Sequence, residues 1–177
     1  EALYGRINRY LLWVYIAINL FMAVLDIYRG DVFHYMLAFG SLLFIPVVWG
    51  FYRIARIKPV HQLNTLIFGF IFLSYTIGEV MAGYYWIPYF DKICHALSGT
   101  FTGLLGMVMY YLLKPGRRVE RADLAACAVF MFCFALAIAG IWEMCEYFIS
   151  LVTDLDPQWV EGTGVGDTMT DMIACMI

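Results

Sequence analysis

The chain has 177 residues, of which 63% are hydrophobic and only 14% are charged, with a mean hydropathy of +0.77. An average soluble domain is about half apolar and about a quarter charged. This composition therefore excludes a soluble globule, a disordered chain and a disulfide-rich secreted scaffold. The net charge of −3 and the lack of a basic stripe argue against a nucleic-acid partner. We predict an integral membrane protein built from helices.

Five apolar runs are each long enough to span a membrane as a helix, which takes about 20 residues. They are Tyr10–Ile27, Phe33–Phe51, Leu63–Tyr85, Ile93–Leu113 and Leu124–Val152. A sixth run begins near Gly166, and we expect it to be a sixth helix that is truncated in this chain. The predicted fold class is all-α, a polytopic membrane helix bundle forming a single integral membrane domain over residues 1–177. Pro46 is expected to kink the second helix, and Pro88 to form a turn.

Basic residues accumulate in alternate loops, which predicts an orientation in the membrane. Of the 11 Lys and Arg residues, all but Arg29 and Lys92 lie at the N-terminal end or in the second and fourth loops. Positively charged loops stay in the cytoplasm. We therefore predict a multi-pass protein of the inner (plasma) membrane with a cytoplasmic N-terminus, surrounded by membrane lipids.

Three pairs of ionisable side chains lie near the outer ends of the last three predicted helices. They are Asp91 and His95, Glu143 and Glu146, and Asp167 and Asp171. Each pair is spaced by three or four residues, so both members project from one side of a helix. A rise of about 1.5 Å per residue puts the three pairs at a similar depth. Because a charge in a membrane segment costs about 2.5–3.5 kcal/mol on insertion scales, the coincidence indicates a shared polar site.

Converging carboxylates repel one another unless a cation or a shared proton compensates their charge. Carboxylate and imidazole together are normal ligands of zinc and manganese, and a carboxylate-rich set also suits magnesium or calcium. All six residues are therefore candidate ligands of one divalent metal, whose identity the residue types leave open. Glu79, Lys92 and Tyr75 are candidate neighbours of these ligands.

Simpler interpretations stand beside the metal hypothesis. Asp91 and Asp167 each begin an inward-running helix, where an aspartate caps free N–H groups and favours the helix dipole. His95 could bond a neighbouring carbonyl, and the two glutamates on the fifth helix could reach interfacial water. Glu79 is expected to pair with Lys92.

Two features near the end of the chain have a structural interpretation. Cys175 continues the face of Asp167 and Asp171 one turn deeper, and we expect it to pack as a small apolar side chain. The glycine-rich segment from Glu161 to Asp167 could offer N–H groups to an anion. A flexible turn is the favoured interpretation of those glycines.

Three motifs carry a family resemblance: Asp91-Lys-Ile-Cys-His95-Ala-Leu-Ser-Gly99, Trp142-Glu-Met-Cys-Glu146-Tyr and Gly166-Asp-Thr-Met-Thr-Asp171-Met. In order and spacing they resemble the YjdF-like family of uncharacterised bacterial inner-membrane proteins. The first motif has a weaker likeness to VanZ-like proteins. The resemblance implies a six-helix membrane fold and gives weight to the six candidate ligands, and it implies no established activity. Tyr75 stands where the family pattern has a histidine.

Three functions fit these observations. The favoured one is a metal-dependent hydrolase, in which the metal activates water against a lipid or lipid-linked headgroup and one free carboxylate is the general base. The second is a transporter or channel for divalent cations or protons, although the inner halves of the first five helices carry almost no ionisable groups. The third is a non-catalytic membrane subunit whose fold is stabilised by a structural metal. The sequence indicates no oligomeric state.

Overall fold

A computed structural model describes residues 2–177, and every regular element among these residues is a helix. Five helical stretches are long and apolar enough to cross a membrane, namely Leu3–Arg29, Val32–Ala55, His61–Val80, Phe90–Leu113 and Arg121–Val152. Each overlaps one of the five predicted spans, which confirms the all-α membrane helix bundle. The run predicted as a sixth helix forms a ten-residue helix, Gly166–Cys175.

The α-helices, in chain order, are α1 (Ala2–Arg29), α2 (Val32–Ser41), α3 (Phe44–Ala55), α4 (His61–Ile71), α5 (Gly83–Trp86), α6 (Phe90–Leu113), α7 (Leu124–Val152), α8 (Val160–Thr163) and α9 (Gly166–Cys175). A π-helix, Phe72–Val80, continues α4, and two short 3₁₀ turns, Pro115–Arg117 and Arg121–Asp123, connect α6 to α7. The chain divides into two compact units, Glu1–Phe90 and Asp91–Ile177. The single domain over residues 1–177 stays a prediction.

The α-helix of the second span is interrupted just before Pro46, where the sequence predicts a kink. Proline has no N–H group to donate to the carbonyl four residues earlier, which here belongs to Leu42. That carbonyl instead accepts from the N–H of Ile45 at 3.3 Å. The α-helix is interrupted at Leu42 and Leu43, and α3 begins at Phe44.

The third span ends at Val80, so the boundary predicted at Tyr85 is wrong. From Phe72 to Val80 the backbone is a π-helix, and just beyond it the N–H of Met81 reaches back five residues to the Thr76 carbonyl at 2.9 Å. The apolar run continues through this change of geometry. Apolar character alone therefore gave no sign of where the helix ends.

Ala82 and Gly83, which follow the π-helix, turn the chain away from the third span. Ala82 has a left-handed backbone with φ of 56°, which ends a right-handed helix. Gly83 lies against the Ile77 carbonyl, where an added Cβ would be 2.5 Å from the oxygen. Glycine is required there because any side chain would collide with this backbone oxygen.

Buried polar bonds join helices within the first unit. The Tyr15 hydroxyl donates to the Ser41 carbonyl at 2.5 Å, and the Asn19 side-chain amide donates to the Thr76 hydroxyl at 3.0 Å. All four residues are fully buried. Such interhelical bonds in membrane proteins contribute about 0.6 kcal/mol each, and they explain why polar side chains interrupt the apolar runs.

Glycines on α6 bring the helices of the second unit close together. A Cβ built at Gly99 would lie 2.7 Å from the Cα of Cys175 on α9, and closer still to the Cys175 carbonyl. A Cβ at Gly106 would lie 3.2 Å from the Cα of Met131 on α7. Small residues permit such close helix packing, and the contact at Gly99 positions α9 beside the first turns of α6.

Candidate metal centre

The first turn of α6 carries one half of the candidate centre. Tyr89 has a left-handed φ of 58°, so the chain turns at Pro88 and Tyr89 before α6 begins. Asp91 lies in the first turn of α6, where a negative charge is favoured by the helix dipole. His95 follows one turn later, and its Nε2 lies 3.4 Å from Asp91 Oδ1.

Helix α9 supplies the other half. Asp167 and Asp171 are one turn apart on the same helix, and Asp171 is only 2% exposed. Its Oδ1 lies 3.7 Å from His95 Nε2. The N-cap position of α9 is Val165, so the carboxylate of Asp167 lies inside the helix and faces α6 instead of capping α9.

Lys92 lies at the middle of this acidic cluster. Its ammonium nitrogen is 2.5 Å from Asp167 Oδ1, 2.7 Å from Asp171 Oδ1 and 3.3 Å from Asp91 Oδ2. Three carboxylates therefore share one ammonium group. With a neutral His95, the cluster keeps an excess of two negative charges.

One group of side chains has the spacing of a metal site. Asp91, His95 and Asp171 each offer a ligand atom, and these three atoms all lie within 4.8 Å of one another. Ligands about 2.1 Å from a common ion are about 3.0–3.4 Å apart in octahedral or tetrahedral geometry. The 3.4 Å and 3.7 Å distances from His95 Nε2 to the two aspartates need only small adjustments to match this spacing. Two carboxylates and an imidazole are also a normal donor set for zinc and manganese.

Glu143 is not among the three clustered ligands and has its own partners. The Gln158 amide nitrogen donates to Glu143 Oε2 at 3.2 Å, to the Glu143 carbonyl at 3.1 Å and to the Thr168 hydroxyl at 3.1 Å. Glu143 is 5% exposed, and its Oε1 is buried with no hydrogen-bond partner among the described residues. A buried carboxylate oxygen without a hydrogen-bond partner is costly, which makes this oxygen a candidate functional group.

Glu146 is half-buried and lies one turn further along α7. Its Oε1 accepts a hydrogen bond from the Trp142 indole at 2.7 Å. Glu146 is not part of the group formed by Asp91, His95 and Asp171.

The six predicted ligands thus fall into three sets. Asp91, His95 and Asp171 form the compact group, Asp167 joins it through Lys92, and Glu143 and Glu146 have separate hydrogen-bond partners. The ring nitrogens of His95 face acidic side chains and a thiol instead of a backbone carbonyl.

The three candidate neighbours have different surroundings. Lys92 lies directly in the acidic cluster of the second unit. Tyr75 belongs to the first unit, where its ring packs edge-on against Phe44 with centroids 5.0 Å apart. Glu79 also belongs to the first unit, within its π-helix, and the role of both residues beside the ligands stays a prediction.

Sequence reasoning missed Gln158 and the partners of Cys175. Gln158 lies in the loop between α7 and α8, where no spacing rule links it to Glu143. Cys175 Sγ lies 3.6 Å from His95 Nδ1 and 3.4 Å from the Ser98 hydroxyl, so the thiol makes polar contacts as well as packing. The position of Cys175 on the Asp167 and Asp171 face was the signal that could have revealed its contact with His95.

A family described as "Predicted membrane protein (DUF2238)" matches residues 7–177. No curated protein and no solved structure matches the chain. The family match confirms that the chain is of a membrane protein family, and its description names no reaction. The YjdF-like and VanZ-like resemblances stay predictions.

Proposed function

The chain belongs to the DUF2238 family of predicted membrane proteins, and we propose that it is a metal-dependent hydrolase acting on a lipid or lipid-linked headgroup. Asp91, His95 and Asp171 would hold one divalent ion. The observation that carries the proposal is the close spacing of these three ligand atoms, all within 4.8 Å of one another.

The charges of the cluster support a divalent ion. Three aspartates share Lys92 as their ammonium partner, which leaves two negative charges when His95 is neutral. Buried carboxylates this close together need a positive charge to compensate their own. A single divalent cation would supply that charge while Lys92 stays in place. Zinc and manganese suit the imidazole-containing donor set best.

The residues around the ion would have different roles in the reaction. A bound divalent ion supplies Lewis-acid activation of water and of the scissile ester group. Lys92 keeps Asp167 and Asp171 in position through its ion pairs. Glu143 is our candidate general base, because Gln158 holds its Oε2 and the buried Oε1 is left to accept a proton from water.

The distribution of basic residues supports an outward-facing centre. The loops rich in Lys and Arg lie at the opposite ends of the spans from the starts of α6 and α9. By the positive-inside rule, those basic loops are cytoplasmic. The centre then faces the outer leaflet of the inner membrane, where its substrate would be an ester or phosphoester of a lipid headgroup.

Metal analysis tests the centre directly. We expect the purified wild-type protein to bind about one Mn²⁺ per chain, and His95→Ala and Asp171→Asn to lose this ion because each removes one of three ligands. Electron paramagnetic resonance titration of Mn²⁺ measures the stoichiometry. Asp154→Asn, in an exposed loop, is the matched control and should bind like the wild type. Equal binding in all four proteins would reject the centre.

A second measurement separates chemistry from metal binding. We expect Glu143→Gln to keep its Mn²⁺ and to lose about 10²–10⁴-fold in headgroup release, the usual contribution of a general base. The protein is reconstituted in vesicles of mixed phospholipids with Mn²⁺, and released headgroups and fatty acids are measured by mass spectrometry. Glu161→Gln, at an exposed residue of α8, is the control. Mn²⁺ flux into the vesicles that is abolished by Asp171→Asn, without lipid cleavage, would replace the hydrolase with a transporter.

A further inference from the structure

We infer that Cys175 and Ser98 hold His95 with a proton on Nδ1, which leaves Nε2 as the ring nitrogen that binds the metal. Both residues are then positioning residues for the metal ligand His95, and the inference rests on the proposed function. The sequence assigned Cys175 only to packing.

Counting hydrogens around the His95 ring gives the direction of each bond. The Ser98 hydroxyl has one hydrogen and donates it to the His95 carbonyl at 2.8 Å. Its oxygen can therefore only accept from the Cys175 thiol, 3.4 Å away. The single thiol hydrogen is used in that contact, which leaves Sγ as an acceptor for His95 Nδ1 at 3.6 Å.

The opposite arrangement leaves one contact without a hydrogen. If the thiol donated to Nδ1, neither Ser98 nor Cys175 would have a hydrogen left for the other. The closed cycle, from Nδ1–H to Sγ–H to Oγ–H to the His95 carbonyl, satisfies every contact in the group. It also fixes the ring plane, because both ends of the cycle belong to His95.

The consequence appears at the other ring nitrogen. Nε2 lies 3.4 Å from Asp91 Oδ1 and 3.7 Å from Asp171 Oδ1. In the neutral ring with its proton on Nδ1, Nε2 and the two carboxylate oxygens are three lone-pair donors directed toward one another, an arrangement that a cation between them stabilises. Histidine ligands commonly donate their second N–H to a partner that fixes the tautomer, and loss of this partner weakens metal binding by about 10–100-fold.

The first test compares Mn²⁺ affinity among cysteine variants, since manganese prefers oxygen ligands to thiolates. We expect Cys175→Ala to weaken Mn²⁺ binding by about 10–100-fold, while Cys175→Ser stays close to the wild type because its hydroxyl can still accept and donate. Cys133→Ala, at an exposed cysteine, is the matched control. The melting temperature of each metal-free variant shows whether the fold is intact. Wild-type affinity in a folded Cys175→Ala protein would overturn the inference, as would an affinity in Cys175→Ser as low as in Cys175→Ala.

The second test reads the tautomer of the wild-type protein and needs no variant to fold. The chain has three histidines, so ¹⁵N-histidine spectra of the Zn²⁺-loaded protein in detergent contain His34 and His61 as internal references. We expect the spectra to show the His95 proton on Nδ1. A proton on Nε2, or on both nitrogens, would contradict the inference. Failure of the wild type to bind any metal would reject the proposed function itself, whereas a bound ion with the proton on Nε2 rejects only the positioning role.

Discussion

A Lys92→Met variant is expected to lose stability in metal-free buffer and to recover it when Mn²⁺ is added. The Lys92 ammonium pairs with three carboxylates, two of them at 2.5 Å and 2.7 Å. Removing one partner of a buried ion pair costs about 3–5 kcal/mol. Because the Lys92 side chain is 31% exposed, we expect a loss of about 3 kcal/mol. Unfolding of the detergent-solubilised protein, with a chelator or with Mn²⁺, measures it.

Two further variants identify the cause of this loss. Lys92→Met combined with Asp167→Asn removes one of the uncompensated charges and should restore part of the stability without metal. Lys114→Met removes an ammonium group that pairs with Asp123 outside the centre, and its stability should not respond to Mn²⁺. A Lys92→Met protein that is equally stable with chelator and with Mn²⁺ would show that no cation replaces the ammonium group.

Gly99→Ala is expected to separate α6 from α9 and to weaken metal binding with it. The added Cβ would lie 2.7 Å from the Cα of Cys175 and closer to its carbonyl, and neither backbone atom can rotate away. Overpacking of a core costs about 1–3 kcal/mol, and we expect the upper end here. Because α9 also carries Asp171, the Mn²⁺ affinity should fall together with the melting temperature.

Gly103→Ala is the matched control, one turn further along the same helix. No atom lies within 4 Å of a Cβ built at Gly103, and alanine favours a helix over glycine by about 1 kcal/mol. We expect its melting temperature to equal or exceed that of the wild type, with unchanged Mn²⁺ affinity. A Gly99→Ala protein that behaves in the same way would contradict the close approach of α9 to α6.

Helical periodicity was sufficient to predict the faces of the centre. Asp91 and His95, and likewise Asp167 and Asp171, are separated by one helical turn, so their side chains had to share a side once each helix formed. Composition and run length were sufficient to predict the five spans. These inferences succeeded because they depend on one helix at a time.

Contacts between helices could not be predicted in the same way. Lys92 is next to Asp91 in the sequence, but its contacts with α9 depend on the close approach at Gly99. The bond from Gln158 to Glu143 depends on the path of a loop that has no periodicity. Both are set by packing, on which the spacing of residues within one helix carries no information.

The π-helix Phe72–Val80 bears on how this span tolerates changes in its length. An α-helix turns by about 100° per residue, and a helix with bonds to the fifth residue turns less per residue. Each bond in this stretch spans one residue more than a bond in an α-helix, so the stretch accommodates an extra residue. A relative lacking one residue in this stretch could therefore keep α4 and α5 in the same orientation by adopting ordinary α geometry between them. Alignments of the family should accordingly accommodate a one-residue gap here without a shift in the flanking helices.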